Sequence, residues 1–176
     1  MSPLLALALA SSFSAPVVRA TDLAGKAVTV PVPQRVTCLL FVGTECPIAN
    51  RAAPEINRII GDFKDVSFFI VYVDGGSKAD ATKHWADFEF KAPGILDEKF
   101  EVAKFARATV TPETSVFDKS GTLVYYGRIN DAYSEHNLPR DKPSKNELRD
   151  ALAAVVKGKK VAQSFVAPLG CSIPFK

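Results

Sequence analysis

Two nearly continuous apolar runs dominate the first half of the chain. Residues 36–43 and 66–73 are rich in β-branched and aromatic side chains, which is typical of strands covered on both faces. Between them, apolar residues recur at helical spacing from Ile48 to Phe63, with polar residues on the opposite side. Pro54 should bend this helix without ending it, because the apolar period continues beyond it. The pattern predicts a strand–helix–strand unit.

The second half of the chain predicts two helices and a hairpin. One helix should start at Ser77, whose hydroxyl can cap its first turn, and a shorter one should cover about residues 98–107. Residues 113–118 and 122–129 alternate in polarity on either side of a glycine-containing turn, which indicates an antiparallel hairpin.

A final helix is predicted to open near Ser144, with a capping box completed by Glu147, and to close at Gly158. Residues 159–176 follow, and their prolines and Gly170 argue against regular structure. A parallel strand–helix–strand unit followed by a hairpin and a closing helix implies an α/β fold. We therefore predict a three-layer α/β/α sandwich around a central mixed sheet.

The composition is that of a single globular domain. Of 176 residues, 47% are hydrophobic and 23% charged, which is enough for one sizeable core. The net charge of +3 arises from 22 basic and 19 acidic residues that are mixed along the chain. Because there is no basic block, we expect no nucleic-acid partner.

The first residues predict export. An apolar run at 4–10 is too short to span a bilayer but suits a secretory signal, and residues 18–20 (VRA) offer a cleavage site. The alternative is a frayed or buried N-terminal segment. We expect a signal peptide at 1–20, a globular domain at 21–158 and a tail at 159–176. The protein is then periplasmic or secreted, without a stable membrane span, in a compartment that permits disulfides.

The candidate chemistry lies on Cys46. This residue follows a buried strand and precedes Pro47, so it should occupy the N-cap of the first helix. Unpaired backbone N–H groups and the positive end of the helix dipole would stabilise its thiolate there. Glu45 opposes this effect and Arg51, about one turn along, can offset it. The alternative is that Cys46 only fills space in the core.

The other two cysteines differ in kind. Cys38 lies in the middle of a buried strand, where core packing is expected. Cys171 is a candidate resolving thiol for an oxidised Cys46, but it could also pair with another thiol or be an unreactive tail residue. Three cysteines so far apart exclude a local zinc motif and are too few for a disulfide scaffold.

Several segments together resemble the thioredoxin-like superfamily, especially its redoxin and peroxiredoxin-related (AhpC/TSA) members. They are residues 41–48 (FVGTECPI), 54–56 (PEI) and 110–118 (VTPETSVFD). Two further segments, 127–131 (GRIND) and 170–174 (GCSIP), resemble an exported bacterial redoxin subgroup with CPI at the active site. The resemblance to the thioredoxin-like superfamily covers about residues 24–158.

This resemblance implies specific roles for several residues. The bond between Thr111 and Pro112 should be cis, face the reactive cysteine, and form a substrate-docking edge through its backbone groups. The chain departs from the family pattern at Ala49, where the usual CxxC motif has its second cysteine, so Cys171 is the remaining candidate resolver. It also has Gly43 where peroxiredoxins place threonine.

The leading functional hypothesis is a thiol oxidoreductase whose Cys46 attacks a protein or small-molecule disulfide, or a peroxide. Cys171 would resolve the intermediate, an external thiol would reduce the protein again, and no cofactor is expected. In a peroxidase, Arg128 or Arg51 would hold the thiolate and orient the peroxide. A third alternative is a binding module on the same fold that has lost catalysis.

A copper-binding chaperone is a fourth alternative, because cysteine and histidine are ligands for copper. The chain has two histidines, His84 and His136, and neither has a ligand-like spacing to Cys46. We predict that both histidines lie at the surface, and we expect no metal site.

Overall fold

The described part of the chain is residues 15–133, 140 and 142–175 of a computed structural model, and it contains ten strands and four helices. In chain order these elements are β1 (Val18–Thr21), β2 (Ala27–Val30), β3 (Thr37–Val42), α1 (Pro47–Asp62), β4 (Ser67–Tyr72), α2 (Lys78–Asp87), β5 (Gly94–Leu96), α3 (Glu101–Ala106), β6 (Val110–Thr111), β7 (Glu113–Phe117), β8 (Leu123–Gly127), α4 (Glu147–Val156), β9 (Phe165–Val166) and β10 (Cys171–Ser172).

Six of these strands form a central sheet in the order β5-β4-β3-β7-β8-β9. The pairs β3–β4, β4–β5 and β8–β9 are parallel, whereas β3–β7 and β7–β8 are antiparallel. The predicted mixed sheet and the predicted β7–β8 hairpin are therefore confirmed. The hairpin carries a register shift between Val116 and Phe117.

Successive side chains of β3 point to opposite faces of the sheet, and each face is covered by its own hydrophobic core. Cys38 and Leu40 point into one core, which is completed by apolar residues of α1, α2 and α4. Leu39 and Phe41 point into the other, which is completed by α3, the β1–β2 hairpin and Ile173 of the tail. All six residues of β3 are buried, as expected for a strand covered on both faces. The predicted three-layer sandwich is confirmed.

Local sequence accounts for the continuation of α1 through Pro54 and for the start of α2, but not for the start of α4. α1 continues through Pro54, as predicted, and Ser77 and Asp80 form a complete capping box at α2. The predicted capping box of α4 is wrong. Instead of capping the helix, the Ser144 hydroxyl donates to Asp131 at 2.5 Å, and Glu147 forms a salt bridge with Arg128. These contacts with distant residues take the place of the two capping hydrogen bonds. None of the helices in the described residues is both long and apolar enough to cross a membrane.

The N-terminal hairpin was not expected from the sequence. Residues 18–20, interpreted as a cleavage site, belong to β1, which pairs antiparallel with β2, and Val18 and Ala20 pack against the second core. Residues 1–14 of the predicted signal peptide lie outside the described residues. Cleavage after Ala20 would remove most of β1.

The prediction of an irregular C-terminal tail is wrong at two places. β9 adds to the edge of the central sheet beside β8, and β10 pairs antiparallel with β6, with Cys171 opposite Thr111. These pairings join segments far apart in sequence, so the local pattern of prolines and glycine did not reveal them. The tail thereby brings Cys171 to the site where α1 begins.

Candidate active site

Cys46 occupies the predicted N-cap of α1. Its backbone is extended (φ −79°, ψ 108°), and Pro47 starts the helix. Its carbonyl accepts the first helical hydrogen bond from Asn50, at 2.9 Å. The residue is only 4% exposed, but it lines a cleft of about 720 Å³ together with Cys171 and Thr111. The Cys46 thiol thus lines a cleft at the positive end of a 16-residue helix.

Cys171 lies directly beside Cys46. The two Sγ atoms are 2.8 Å apart, although 125 positions separate the residues in sequence. The Cys46 Sγ also lies 3.0 Å from the carbonyl oxygen of Thr111. All three cysteines are free thiols in this structure. The structure brings together the two cysteines for which the sequence left alternatives open.

The environment makes the two thiols unequal. Burial by itself would raise the pKa of the Cys46 thiol. Hydrogen bonds from the Cys171 thiol, the Thr111 side chain and the Ala49 backbone outweigh burial, so the net pKa lies below its ordinary value. The same hydrogen bond, with burial and the nearby charge of Cys46, raises the pKa of Cys171 to about 11. Cys46 therefore ionises first, and Cys171 retains a proton to donate to it.

The predicted docking edge has the expected geometry. The peptide bond between Thr111 and Pro112 is cis, and the Thr111 carbonyl faces the Cys46 sulfur. Glu113 fixes the chain just before this bond, because its carboxylate accepts hydrogen bonds from the N–H groups of Thr109 and Val110 at 2.7 and 3.1 Å. The backbone opposite Cys46 is therefore rigidly placed.

Asp74 is a site residue that the sequence analysis missed. One oxygen of its carboxylate accepts hydrogen bonds from both the N–H and the hydroxyl of Thr44, each at 2.6 Å. These bonds hold the loop that leads from β3 to Cys46. A signal was present in the sequence, because Asp74 follows β4 and the carboxyl ends of adjacent parallel strands meet at one edge of a sheet.

His84 is buried, which corrects the prediction that it lies at the surface. Its Nδ1 is 3.1 Å from the Tyr72 hydroxyl and its Nε2 is 2.8 Å from the Asn50 Oδ1. These partners, together with nearby aromatic rings, make burial possible, and burial lowers the pKa of the imidazole. The other histidine, His136, lies outside the described residues. Within the described ranges, no three histidine, cysteine or acidic side chains are grouped to hold a metal ion.

Arg128 lies apart from the Cys46 cleft. It lines a neighbouring groove with Pro112, Ile48 and Arg51, and its guanidinium pairs with Glu147. Arg51 lies over the ring of Tyr133, 5.9 Å from the ring centroid. Thr111 thus lines the cleft that contains the cysteines, and its neighbour Pro112 lines the groove that contains the arginines.

Cys38 behaves as the sequence predicted. It is fully buried in the first core, and its sulfur lies 3.3 Å from the Thr114 hydroxyl. Burial raises the pKa of this thiol to about 12, opposed by that hydrogen bond. Cys38 therefore stays protonated and shielded in the folded protein.

These pKa shifts predict a selective pH dependence of alkylation. Only the thiolate reacts with iodoacetamide, so the labelling rate of Cys46 should reach half its plateau below pH 8.5, the approximate pKa of a free thiol. The substitution Cys171→Ala removes a hydrogen bond to the thiolate and should move this midpoint upward. Mass spectrometry of each cysteine after timed labelling measures both effects, and Cys38 should stay unlabelled as an internal control. A midpoint that does not move in the Cys171→Ala protein would contradict the assigned cause.

Comparison with known proteins gives matches among solved structures only. No protein-family model matches the chain, and no curated protein matches it. An uncharacterised conserved protein from Geobacillus kaustophilus has 27% sequence identity and a TM-score of 0.80, over 93% of this chain and 90% of that chain. A hypothetical protein from Sinorhizobium meliloti has 20% identity and a TM-score of 0.77, over 93% of both chains.

A third solved structure identifies the fold. The thioredoxin domain of a thiol-disulfide oxidoreductase from Bacteroides vulgatus aligns with a TM-score of 0.58 and 18% identity, over 67% of this chain and 88% of that chain. Together with the mixed sheet and its flanking helices, this likeness confirms the predicted thioredoxin-like α/β sandwich.

Proposed function

We propose that this chain is a thiol–disulfide oxidoreductase in which Cys46 attacks and Cys171 resolves. The observation that carries the proposal is the 2.8 Å separation of the two Sγ atoms at the start of α1. A bonded pair lies at about 2.05 Å, so the two sulfurs need to approach by less than about 1 Å. The fold shared with the Bacteroides vulgatus thiol-disulfide oxidoreductase supports the same class of reaction.

The reaction begins at the Cys46 thiolate. It attacks one sulfur of a substrate disulfide, forms a mixed disulfide with that half, and releases the other half as a thiolate that takes up a proton. Cys171 then gives up its proton and attacks the Cys46 sulfur, which releases the first half as a thiol. The substrate gains two electrons and two protons, and the protein is left with a disulfide between Cys46 and Cys171. Two equivalents of an external thiol restore the dithiol form.

Substrate binding is assigned to the surface around the cis peptide bond. The backbone of Thr111 faces the attacking sulfur, and Pro112 borders the groove that contains Arg128. We propose that these three residues position the substrate. In this arrangement Arg128 contacts a part of the substrate away from the reacting sulfurs, because it does not line the cysteine cleft.

Disulfide exchange fits the site better than peroxide reduction. In a peroxidase we expect a cation beside the sulfur to hold the thiolate, whereas both Arg128 and Arg51 line the neighbouring groove. Gly43 stands where peroxiredoxins have threonine. Stopped-flow rates would separate the two activities, with a small disulfide reacting faster than hydrogen peroxide if the proposal is right.

The proposal predicts that the mixed disulfide accumulates when Cys171 is absent. A Cys171→Ser protein that has been treated with glutathione disulfide should retain one glutathione on Cys46, because no neighbouring thiol can displace it. Intact-mass spectrometry and peptide mapping detect the adduct. Cys38→Ala is the matched control, since it removes a thiol but leaves the pair, and it should show no lasting adduct. Multiple turnover at the unmodified rate by the Cys171→Ser protein would remove Cys171 from the mechanism.

We also propose that the protein acts outside the cytoplasm, in an oxidising compartment. The support is the apolar run at 4–10. Because β1 starts at Val18, a processed protein that keeps this strand must begin at or before that residue. Mass determination of the N-terminus of protein isolated from the cell envelope or medium tests this. A mature chain that begins after the apolar run at 4–10 and no later than Val18 is expected, and an intact Met1 would contradict export by cleavage.

A further inference from the structure

The edge of β6 is already occupied by the chain itself. β10 pairs antiparallel with it, with Cys171 opposite Thr111 and Ser172 opposite Val110. The ladder continues past the strand, because the Ile173 N–H donates to the Thr109 carbonyl at 3.0 Å. This is the edge that leads into the cis bond facing Cys46. An incoming peptide cannot form hydrogen bonds with that edge while β10 does.

Gly170 makes this close pairing possible. A Cβ atom at this position would lie 2.2 Å from the Thr111 carbonyl oxygen and 2.7 Å from its carbon. Both atoms belong to the backbone of the docking edge, which Glu113 holds in place. Any side chain at position 170 would therefore push the tail away from β6. The sequence Gly170-Cys171 is fitted to the surface around the reactive sulfur.

The tail is held firmly at its ends and weakly in the middle. Upstream, β9 pairs with β8. Downstream, Ile173 is buried in the second core and Phe175 packs edge-on against Phe100, with 5.6 Å between ring centroids. Between these anchors the two residues of β10 are both exposed. A two-residue ladder in water adds little stability, so this middle part can detach while the ends stay bound.

We infer, resting on the proposed function, that residues 170–172 occupy the position of a substrate strand and exchange with it during turnover. The substrate is then an extended, cysteine-containing peptide that pairs with Val110 and Thr111, with a small residue before its cysteine as in the tail. β10 detaches to admit it and returns to bring Cys171 to the mixed disulfide. The substrate can bind only to molecules in which β10 has detached. Its apparent dissociation constant is therefore the intrinsic constant divided by the fraction of molecules in that state.

Loosening β10 tests this inference. The test uses the full-length Cys171→Ser chain, with and without Gly170→Ala, and compares two probes of Cys46. One probe is a nine-residue extended peptide with glycine before its cysteine, activated as a mixed disulfide with thionitrobenzoate. The other is iodoacetamide, which needs no strand pairing. Gly61→Ala is the matched control, because a Cβ at that position of α1 meets nothing within 4 Å.

We expect Gly170→Ala to accelerate the peptide reaction by about tenfold and the iodoacetamide reaction by less than about twofold. Gly61→Ala should change neither rate. Equal acceleration of both probes would mean that the tail only shields the sulfur, and an unchanged peptide rate would mean that the substrate docks elsewhere; either result overturns the inference. Failure of the proposed function gives a different result, in which Cys46 reacts with iodoacetamide but with no disulfide in any variant.

Discussion

Replacing Cys46 by serine is expected to lower the rate of disulfide reduction by at least roughly a thousandfold. The hydroxyl of serine ionises far above neutral pH, so no effective nucleophile remains at the start of α1. The other residues of the site contribute little to the rate once the attacking atom is lost, because they act together with it. The hydrogen bonds that lower the pKa of Cys46 are all made to its sulfur atom, which this substitution removes. The measurement is the turnover of a peptide disulfide with an excess of an external thiol.

Cys38→Ala is the control for this experiment. Cys38 lies in the same strand–helix unit but is buried beside Thr114, so its replacement should cost only about 1–2 kcal/mol of stability and leave turnover within about twofold of the unmodified protein. Comparable turnover by Cys46→Ser and the unmodified protein would show that another group attacks the substrate.

Oxidation should markedly stabilise the fold. A bond between Cys46 and Cys171 closes a loop of 125 positions that contains every element from α1 to β9. A loop of this size stabilises by about 3–4 kcal/mol once native-state losses are allowed for. One such loss is the hydrogen bond from Cys171 to the thiolate, which exists only in the reduced protein. For a chain of this size the gain corresponds to a rise in Tm of roughly 10 °C.

Thermal unfolding of the oxidised and reduced protein at one pH measures this difference. The Cys46→Ser and Cys171→Ser proteins cannot close the loop, so their Tm should not depend on the reductant. If the unmodified protein also unfolds at the same temperature with and without reductant, under conditions where the disulfide has formed, closing this loop does not stabilise the fold and the prediction is wrong.

The sequence predicted those parts of the fold that depend on local pattern. β3, α1 and β4 were recognisable because two covered strands and an amphipathic helix each bury a characteristic set of positions. The capping box at Ser77 was recognisable because both of its partners lie within four residues. Cys46 was found for the same reason, since a cysteine between a strand and Pro47 occupies the N-cap through backbone geometry alone.

The features that the sequence did not predict depend on contacts between distant segments. β9 and β10 have two residues each, too few for any periodic pattern, and exist because β8 and β6 offer free edges. The β1–β2 hairpin was hidden by the apolar run before it, which suggested a signal peptide. His84 was expected at the surface because its partners, Tyr72 and Asn50, lie in other elements.

The position of Cys171 beside Cys46 depends both on local sequence pattern and on contacts between distant segments. The resemblance to thioredoxin-like proteins made Cys171 the remaining candidate resolver, because Ala49 stands where their second active-site cysteine lies, but the sequence pattern could not place Cys171 beside Cys46. Its position depends on the β10–β6 ladder and on the absence of a side chain at Gly170. The proposed resolving thiol therefore lies in the C-terminal tail, 125 positions away from the proposed attacking thiol.

Disulfide mapping of the protein equilibrated in a glutathione redox buffer shows whether Cys46 and Cys171 form a bond. Rapid acid quenching, alkylation of free thiols and peptide mapping then show which sulfurs are joined. We predict an intramolecular bond between Cys46 and Cys171, with Cys38 recovered as an alkylated thiol. Recovery of both Cys46 and Cys171 as free thiols or glutathione adducts, under conditions oxidising enough to join ordinary dithiols, would contradict it.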